Sequence, residues 1–280
     1  MRDERHSVLW LCGPPGAGKS ATGWALYDGL ARPGARAGFV DIDQLGMCFP
    51  APPDDPERFR LKEGNVSAVA ANFREAGCVA FVVAGDLGLS RAISAGTVHG
   101  ASLTICRLRA SPDELRRRLT ARRAPDLVAH SLWEAGELDR SSFADACVDT
   151  NGLTVAEVAR LVRERCGGWP PERGAGGLVG GVVPPLADDV APTPLPADDA
   201  APASLPAAGA DGDVLLVCGA TGVGKSAVGF EVFLRQLRAG VASAYVDLDQ
   251  IGFMSAVPAD DPGGHRLSPS YVQFGRESWL

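Results

Sequence analysis

Lysine is nearly missing from this chain. Lysine and arginine together number 27 among 280 residues, yet the only lysines are Lys19, Lys62 and Lys225. Two of the three stand in glycine-rich stretches of closely similar sequence, "CGPPGAGKSATG" (12–23) and "CGATGVGKSAVG" (218–229). A compact ammonium fits between phosphate oxygens where a planar guanidinium does not, so lysines retained at these places fit phosphate chemistry. Long apolar runs are also absent. The longest, "CVAFVVAG" (78–85), is strand-sized, far short of the roughly 18 residues that a membrane helix needs. "MRDERHSV" at the start lacks the apolar stretch of a signal peptide. Excess positive charge is absent too: the formal net charge is −7, which argues against a nucleic-acid surface. The seven cysteines include no C-x-x-C pair, and His6, His99, His130 and His265 form no metal-spaced cluster. A disulfide framework and a zinc site are thereby disfavoured, and the expectation is buried thiols in a reducing compartment with histidines on the surface. These absences point to a cytoplasmic protein with no membrane and no nucleic-acid partner.

What is present is a repeat. At a constant offset of 206 residues, Ser7–Leu61 aligns with Asp213–Leu267 without a gap and with about 23 identities in 55 positions. The shared pieces include the glycine-rich loop, "VDIDQLG" (40–46) against "VDLDQIG" (246–252), and "DDP" at 54–56 and 260–262. The match then stops. Between the copies lies a stretch rich in Pro, Ala, Gly and Asp, without usable periodicity, which reads as a disordered or polyproline-like linker. The expected organisation is a domain over 1–166, a linker over 167–212 and a truncated second copy over 213–280.

The first copy alternates strand and helix signals. "SVLWLC" (7–12) predicts a strand, followed by the loop and a helix to about Ala31. "AGFVDID" (37–43) predicts a second strand, 65–76 a helix, "CVAFVVAG" a buried third strand and "SLTICRLRA" (102–110) a fourth. Ser111-Pro112-Asp113-Glu114 supplies an N-cap, a first-turn proline and a capping-box glutamate for the helix "DELRRRLTARR". "ACVDT" (146–150) predicts a fifth strand, and the capping box Thr154–Glu157 opens a last helix to about Arg165. The fold class expected is α/β, with a parallel sheet.

Gly13-x-x-x-x-Gly18-Lys19-Ser20 follows a strand and opens a helix, the context a P-loop requires. Its glycines let backbone N–H groups face phosphate oxygens, and the helix N-terminus adds partial positive charge. Gly13, Pro14, Pro15, Gly16, Ala17, Gly18, Lys19, Ser20 and Ala21 are therefore candidate nucleotide-binding residues, with Lys19 on the β- and γ-phosphates and Ser20 on Mg²⁺. Asp41 and Asp43 follow at the end of the second strand, where alternation puts both on one face. Two carboxylates beside a phosphate loop suit one to hold Mg²⁺ through water and the other to take a proton from a hydroxyl. The pair recurs as Asp247 and Asp249. Asp86, ending "FVVAGD", could close a Walker B strand; no glutamate follows it, as a hydrolytic ATPase usually requires.

"GPPGAGKS", "VDID", "LRASPDELRRRLTARR" and "VDTNGLTVAEVARLV" together resemble the small P-loop kinases, among them shikimate, gluconate and adenylylsulfate kinases and chloramphenicol phosphotransferase. The resemblance spans the first copy. It implies a three-layer P-loop NTPase fold with five parallel strands in the order 2-3-1-4-5, ATP and Mg²⁺ as cofactors, and phosphoryl transfer to a small-molecule hydroxyl. It assigns Asp41 to the metal and Asp43 to the acceptor hydroxyl. Arg118 and Arg122 match the lid-side arginines in L-x-x-R-L-x-x-R. "FRLKE" (59–63) is similar to the shikimate-kinase F-R-x-x-E, which makes Arg60 a candidate anion-binding substrate residue; it recurs as Arg266. The glycine triplet of shikimate kinases after strand three is replaced by "AGDLG" (84–88), so shikimate itself is not the expected acceptor.

The second copy keeps Gly219, Gly222, Gly224, Lys225 and Ser226, but has no counterparts of strands three to five or of the lid. About 68 residues lie near the lower limit for an independent core. The expectation is that this copy is no autonomous kinase: a remnant, a segment docked on the first domain, or one completed by another chain through self-association. Two other functions stay open for the whole chain, a nucleotide-binding regulatory module and an ATPase without acceptor.

Overall fold

The structure is a computed structural model and describes residues 6–31, 35–75, 77–86, 98, 101–170, 214–219, 222–251 and 253–254. Chain contacts divide these into two units, a larger one containing residues up to Pro170 and from Phe230 onward, and a smaller one containing the described residues of 214–229.

In the larger unit, β1 (His6–Cys12) leads through the glycine-rich loop into α1 (Lys19–Ala31). β2 (Ala37–Asp41), a 3-10 turn (Ile42–Leu45) and β3 (Cys48–Phe49) precede α2 (Phe59–Glu75) and β4 (Ala80–Ala84). β5 (Ala101–Arg109), α3 (Pro112–Ala121), α4 (Leu127–Asp139), β6 (Ala146–Asp149) and α5 (Val155–Arg165) complete the first copy. The main sheet runs β6-β5-β1-β4-β2, all parallel. Counted along the chain, that is the order 2-3-1-4-5, and the fold is the expected α/β class with a five-stranded parallel sheet.

Alternation along the strands makes the layers. Leu9, Leu11, Phe39, Val82 and Ala84 face α1 and α5, where they meet Trp24, Tyr27, Val158 and Val162. Val8, Trp10, Val40, Phe81 and Val83 face the opposite side and meet Val66, Ala70 and Phe73 of α2. Both faces of the central strands are buried, which is why they read as continuous apolar runs rather than as alternating ones. Trp169 is buried in the α1–α5 layer, so packed chain continues past the expected boundary at 166.

Four sequence expectations are corrected. The second strand ends at Asp41, whose side chain accepts the Asp43 N–H and caps a 3-10 turn; Asp43 is therefore off the strand. α2 starts at Phe59, six residues before the apolar pattern suggests, because Asp55 accepts the Leu61 N–H at 3.1 Å and anchors the extra turns. α4 was not foreseen. Its buried residues include Ser131 and Glu134, whereas Leu127 and Trp133 are exposed, so hydrophobic periodicity has no single apolar stripe to report. His6 is buried rather than on the surface, with Nδ1–H donating to the Cys78 carbonyl at 2.7 Å. His130 is exposed as expected, and His99 and His265 lie outside the described residues.

The second copy supplies α6 (Lys225–Arg238), β7 (Ser243–Ala244), α7 (Leu248–Ile251) and β8 (Phe253–Met254). In the larger unit Phe230, Phe233 and Tyr245 cluster, with ring centroids 5.6–6.2 Å apart. β7 pairs antiparallel with β3, and β8 pairs antiparallel with β2 as a sixth, short strand of the main sheet. In the smaller unit, 214–219 forms no strand. Arg266, the second "DDP" and residues 171–212 of the expected linker lie outside the described residues. No described helix is long and apolar enough to cross a membrane.

Candidate active site

The site lies at the C-terminal ends of β1, β2 and β4, where a parallel sheet presents loops to a ligand. Gly13 leaves β1 at φ +139°. A Cβ there would stand 2.3 Å from the Leu108 carbonyl oxygen, so only glycine lets the loop pass this close to β5. Ala17 N–H donates to the Pro14 carbonyl at 3.1 Å and closes the loop ahead of α1.

Lys19, the first residue of α1, folds its ammonium back over the loop. Nζ donates to the Gly13 carbonyl and forms an ion pair of 2.9 Å with Asp86 Oδ2. Asp86 Oδ1 accepts the Gly13 N–H at 3.1 Å, so one carboxylate at the end of β4 braces both the loop and its lysine. Burial alone lowers the Lys19 pKa, but Asp86 foremost, then Glu134 and Asp43, holds it above its ordinary value.

Ser20 Oγ donates to Asp41 Oδ2 at 2.6 Å, and Asp41 Oδ1 accepts the Asp43 N–H at 3.0 Å. Asp41 is 4% exposed. Burial first, then the neighbouring Asp43 charge, pushes its carboxyl up to about 6, against the Ser20 and Asp43 hydrogen bonds. A buried carboxylate that its surroundings penalise as an anion, in contact with a hydroxyl, is a donor set that a divalent cation would satisfy. Among the described residues no group of three or more His, Cys, Asp or Glu side chains is arranged to hold a metal. A phosphate-bound Mg²⁺ needs only one or two protein ligands, so Ser20 and Asp41 fit that ion.

Asp43 sits differently. Its side chain is 64% exposed, and Oδ1 accepts a hydrogen bond from Lys62 Nζ at 2.7 Å. Lys62, on α2, is half of a site pair that motif reading passed over, although its rarity in this lysine-poor chain was a visible signal. Glu134 on α4 is the other unforeseen member. It is 7% exposed, and α4 is set against the phosphate loop by Ser131 Oγ, which donates to the Pro15 carbonyl at 2.7 Å. Burial, then Asp86, pushes the Glu134 carboxyl up to about 7, with Lys19 and Lys62 pulling the other way.

Arg118 is tied down. Nε donates to Glu114 at 2.7 Å, one terminal nitrogen to Thr150 Oγ1 at 3.0 Å and the Gly16 carbonyl at 3.2 Å, and the other to the Thr150 carbonyl at 2.7 Å. It clamps α3, the phosphate loop and the turn after β6 together. Glu114, bound by Arg117 and Arg118, is held down at about 2. Arg122 caps α3, and its side chain lines a cavity of about 410 Å³ with Gly16, Gly18, Thr22, Arg118, Thr150 and Leu153. Arg60 stands apart from these groups, exposed and paired with Asp54, whose carbonyl it also reaches at 2.7 Å. Gly219, Gly222, Gly224, Lys225 and Ser226 belong to the smaller unit. Asp247 accepts the Tyr245 hydroxyl at 3.4 Å in the larger one.

No family model matches the sequence, and no curated protein does. Solved structures do. The tunicamycin resistance protein of Deinococcus radiodurans is 22% identical, with 58% of this chain and 96% of that one covered and a TM-score of 0.45. Shikimate kinase from Acinetobacter baumannii, in complex with shikimate, is 17% identical over 57% of this chain and 93% of its own, with a TM-score of 0.38. The Mycobacterium tuberculosis APS kinase, in complex with AMPPNP and APS, is 16% identical over 57% and 97%, with a TM-score of 0.38.

Proposed function

We propose that the chain is a magnesium-dependent phosphotransferase that moves the γ-phosphoryl group of ATP to a hydroxyl of a small molecule. One observation carries this reading: Lys19 is braced over the phosphate loop by Asp86, while Ser20 meets Asp41 and the exposed Asp43 follows two residues later. Loop N–H groups and Lys19 would bind and orient the transferring phosphoryl. Arg118, by donating to the Gly16 carbonyl, would hold the loop in shape for the phosphates. The cavity beside Thr22, Arg122 and Leu153 would take the nucleoside. Magnesium held by Ser20 and Asp41 would supply charge neutralisation at the phosphates. Asp43 would accept the proton of the acceptor hydroxyl, with Lys62 fixing its orientation. Arg60, exposed and paired with Asp54, would meet a substrate anion by exchanging that partner.

An acceptor panel tests the reading. A kinase releases ADP faster when the right hydroxyl compound is added, and Lys19→Ala abolishes that release. ADP formed at the same rate without any acceptor would make the chain an ATPase. Binding of Mg-ATP with no ADP formed under any condition would make it a regulatory module.

A further inference from the structure

Two short strand pairs join the repeated segments. Gly38 and Phe39 of β2 lie opposite Met254 and Phe253 of β8. Cys48 and Phe49 of β3 lie opposite Ala244 and Ser243 of β7. The offset of 206 makes Ala244 the counterpart of Gly38, Tyr245 of Phe39, Phe253 of Met47 and Met254 of Cys48. The pairings are therefore reciprocal. Gly38 meets the counterpart of Cys48, and Cys48 meets the counterpart of Gly38. Phe39 meets the counterpart of Met47, while the N–H of Tyr245, the counterpart of Phe39, donates to the Met47 carbonyl at 3.0 Å. Leu45 and its counterpart Ile251 enter one apolar cluster, with Val40, Ile42 and Phe73. Residue i meeting j while j meets i is the mark of an isologous two-fold contact, the kind that two identical subunits make. A segment docked without relation to the repeat would not obey that rule.

The surface concerned is one that needs covering. β2 is the last parallel strand of the sheet, and β8 is its neighbour on the outer side. A bare edge of this kind is a template for another chain. We propose that the second copy is an internal stand-in for a partner subunit: residues 253–254 on β2 and 243–244 on β3 take the places that residues 47–48 and 37–38 of a second copy of this chain would take, and so keep the protein from pairing with itself.

The full chain tests this by sedimentation velocity. Wild type should run as one chain. Tyr245→Pro with Phe253→Pro removes two backbone N–H groups from the covering strands and should produce a discrete two-chain species, with a dissociation constant at least tenfold below any seen for wild type. Met47→Pro added to that pair should return it to one chain. A double variant that stays single, a wild type that is already a dimer, or a dimer that survives Met47→Pro would overturn the proposal. A second measurement avoids dependence on the folding of the proline variants. Tyr245 and Met47 are a hydrogen-bonded pair, so Cys48 opposite Ala244 is of the non-hydrogen-bonded kind, with Cα atoms about 4.5 Å apart, inside the range of roughly 4.4–6.8 Å for disulfides. Treated with diamide, Ala244→Cys should bridge to Cys48 within one chain, seen by peptide mapping. A bridge between two chains, or none, would sink the internal stand-in.

Discussion

The glycines of the two loops have nearly the same φ and nearly opposite surroundings. Gly13, Gly16 and Gly18 have φ of +139°, +86° and +97°; Gly219, Gly222 and Gly224 have +155°, +83° and +90°. Each loop opens a helix at its lysine, Lys19 in α1 and Lys225 in α6. The strand before the first loop is wholly buried. Its counterpart before the second is not a strand, and Val214, Leu215 and Leu216 are 79%, 70% and 68% exposed. A Cβ on Gly16 would press on Leu119 at 3.2 Å, whereas one on Gly222 would meet nothing within 4 Å. The same glycine spacing thus goes with the same glycine conformations and the same helix start twice. The first turn is held by β5, α3 and Asp86 at the end of β4. Local sequence makes the glycine-rich turn; the sheet around it brings the candidate site residues together.

Paired substitutions probe that difference. The largest effect is expected at the lysines. Lys19→Ala should lower turnover by 10³-fold or more, about 4 kcal/mol of transition-state stabilisation, while Lys225→Ala stays within about twofold of wild type. Calorimetric titration with Mg-ATP should find one site per chain, lost in Lys19→Ala; a site that survives it would mean that the second loop also binds. Next come the strands before the loops. Leu9→Ala removes a fully buried side chain and should cost about 2–5 kcal/mol of unfolding free energy, whereas Leu215→Ala should cost less than about 0.5 kcal/mol. Denaturant titration measures both, and equal losses would erase the contrast.

A smaller, pH-dependent effect is expected at Glu134. Its folded-state carboxyl sits at about 7, above the ordinary 4.5. The unfolded chain gives up this proton first, so wild-type stability falls as pH climbs from 4.5 to 7. Glu134→Gln removes that loss. Relative to wild type, its melting temperature should be higher at pH 8 than at pH 5, by an amount equivalent to about 1–3 kcal/mol. A difference independent of pH would show that the carboxyl is not held protonated by its surroundings. The smallest effect is expected at Lys62, the one lysine outside the loops. Lys62→Ala frees Asp43 and should lower kcat by about tenfold or less, below the roughly 10²–10⁴-fold that a positioned acid–base group itself contributes, with ATP affinity unchanged.

Much of the fold was legible because its signals are local. The five parallel strands appear as short apolar runs, α3 and α5 carry their own caps at Ser111 and Thr154, and the glycine spacing announces the loop. Asp41 with Ser20 followed from the same motif. α4 was invisible because it turns polar residues inward, toward Lys19 and Asp86 rather than into an apolar core. Asp43 was misplaced on the strand because the capping hydrogen bond from its N–H to Asp41, which ends β2, depends on where one side chain points.

The sequence alone therefore settled the glycine turn before α1 and the strand and helix alphabet of the sheet, since each depends on neighbours within a few positions. The tertiary structure decided the rest. It brought Asp86 to Lys19, Lys62 to Asp43 and Glu134 to the loop, and it tied Arg118 to backbone carbonyls rather than leaving it as a free lid arginine. It also set the second copy's 243–254 against β2 and β3. Those contacts join residues 19 to well over 100 positions apart, and their energies come from burial and charge proximity that no spacing rule along the chain encodes.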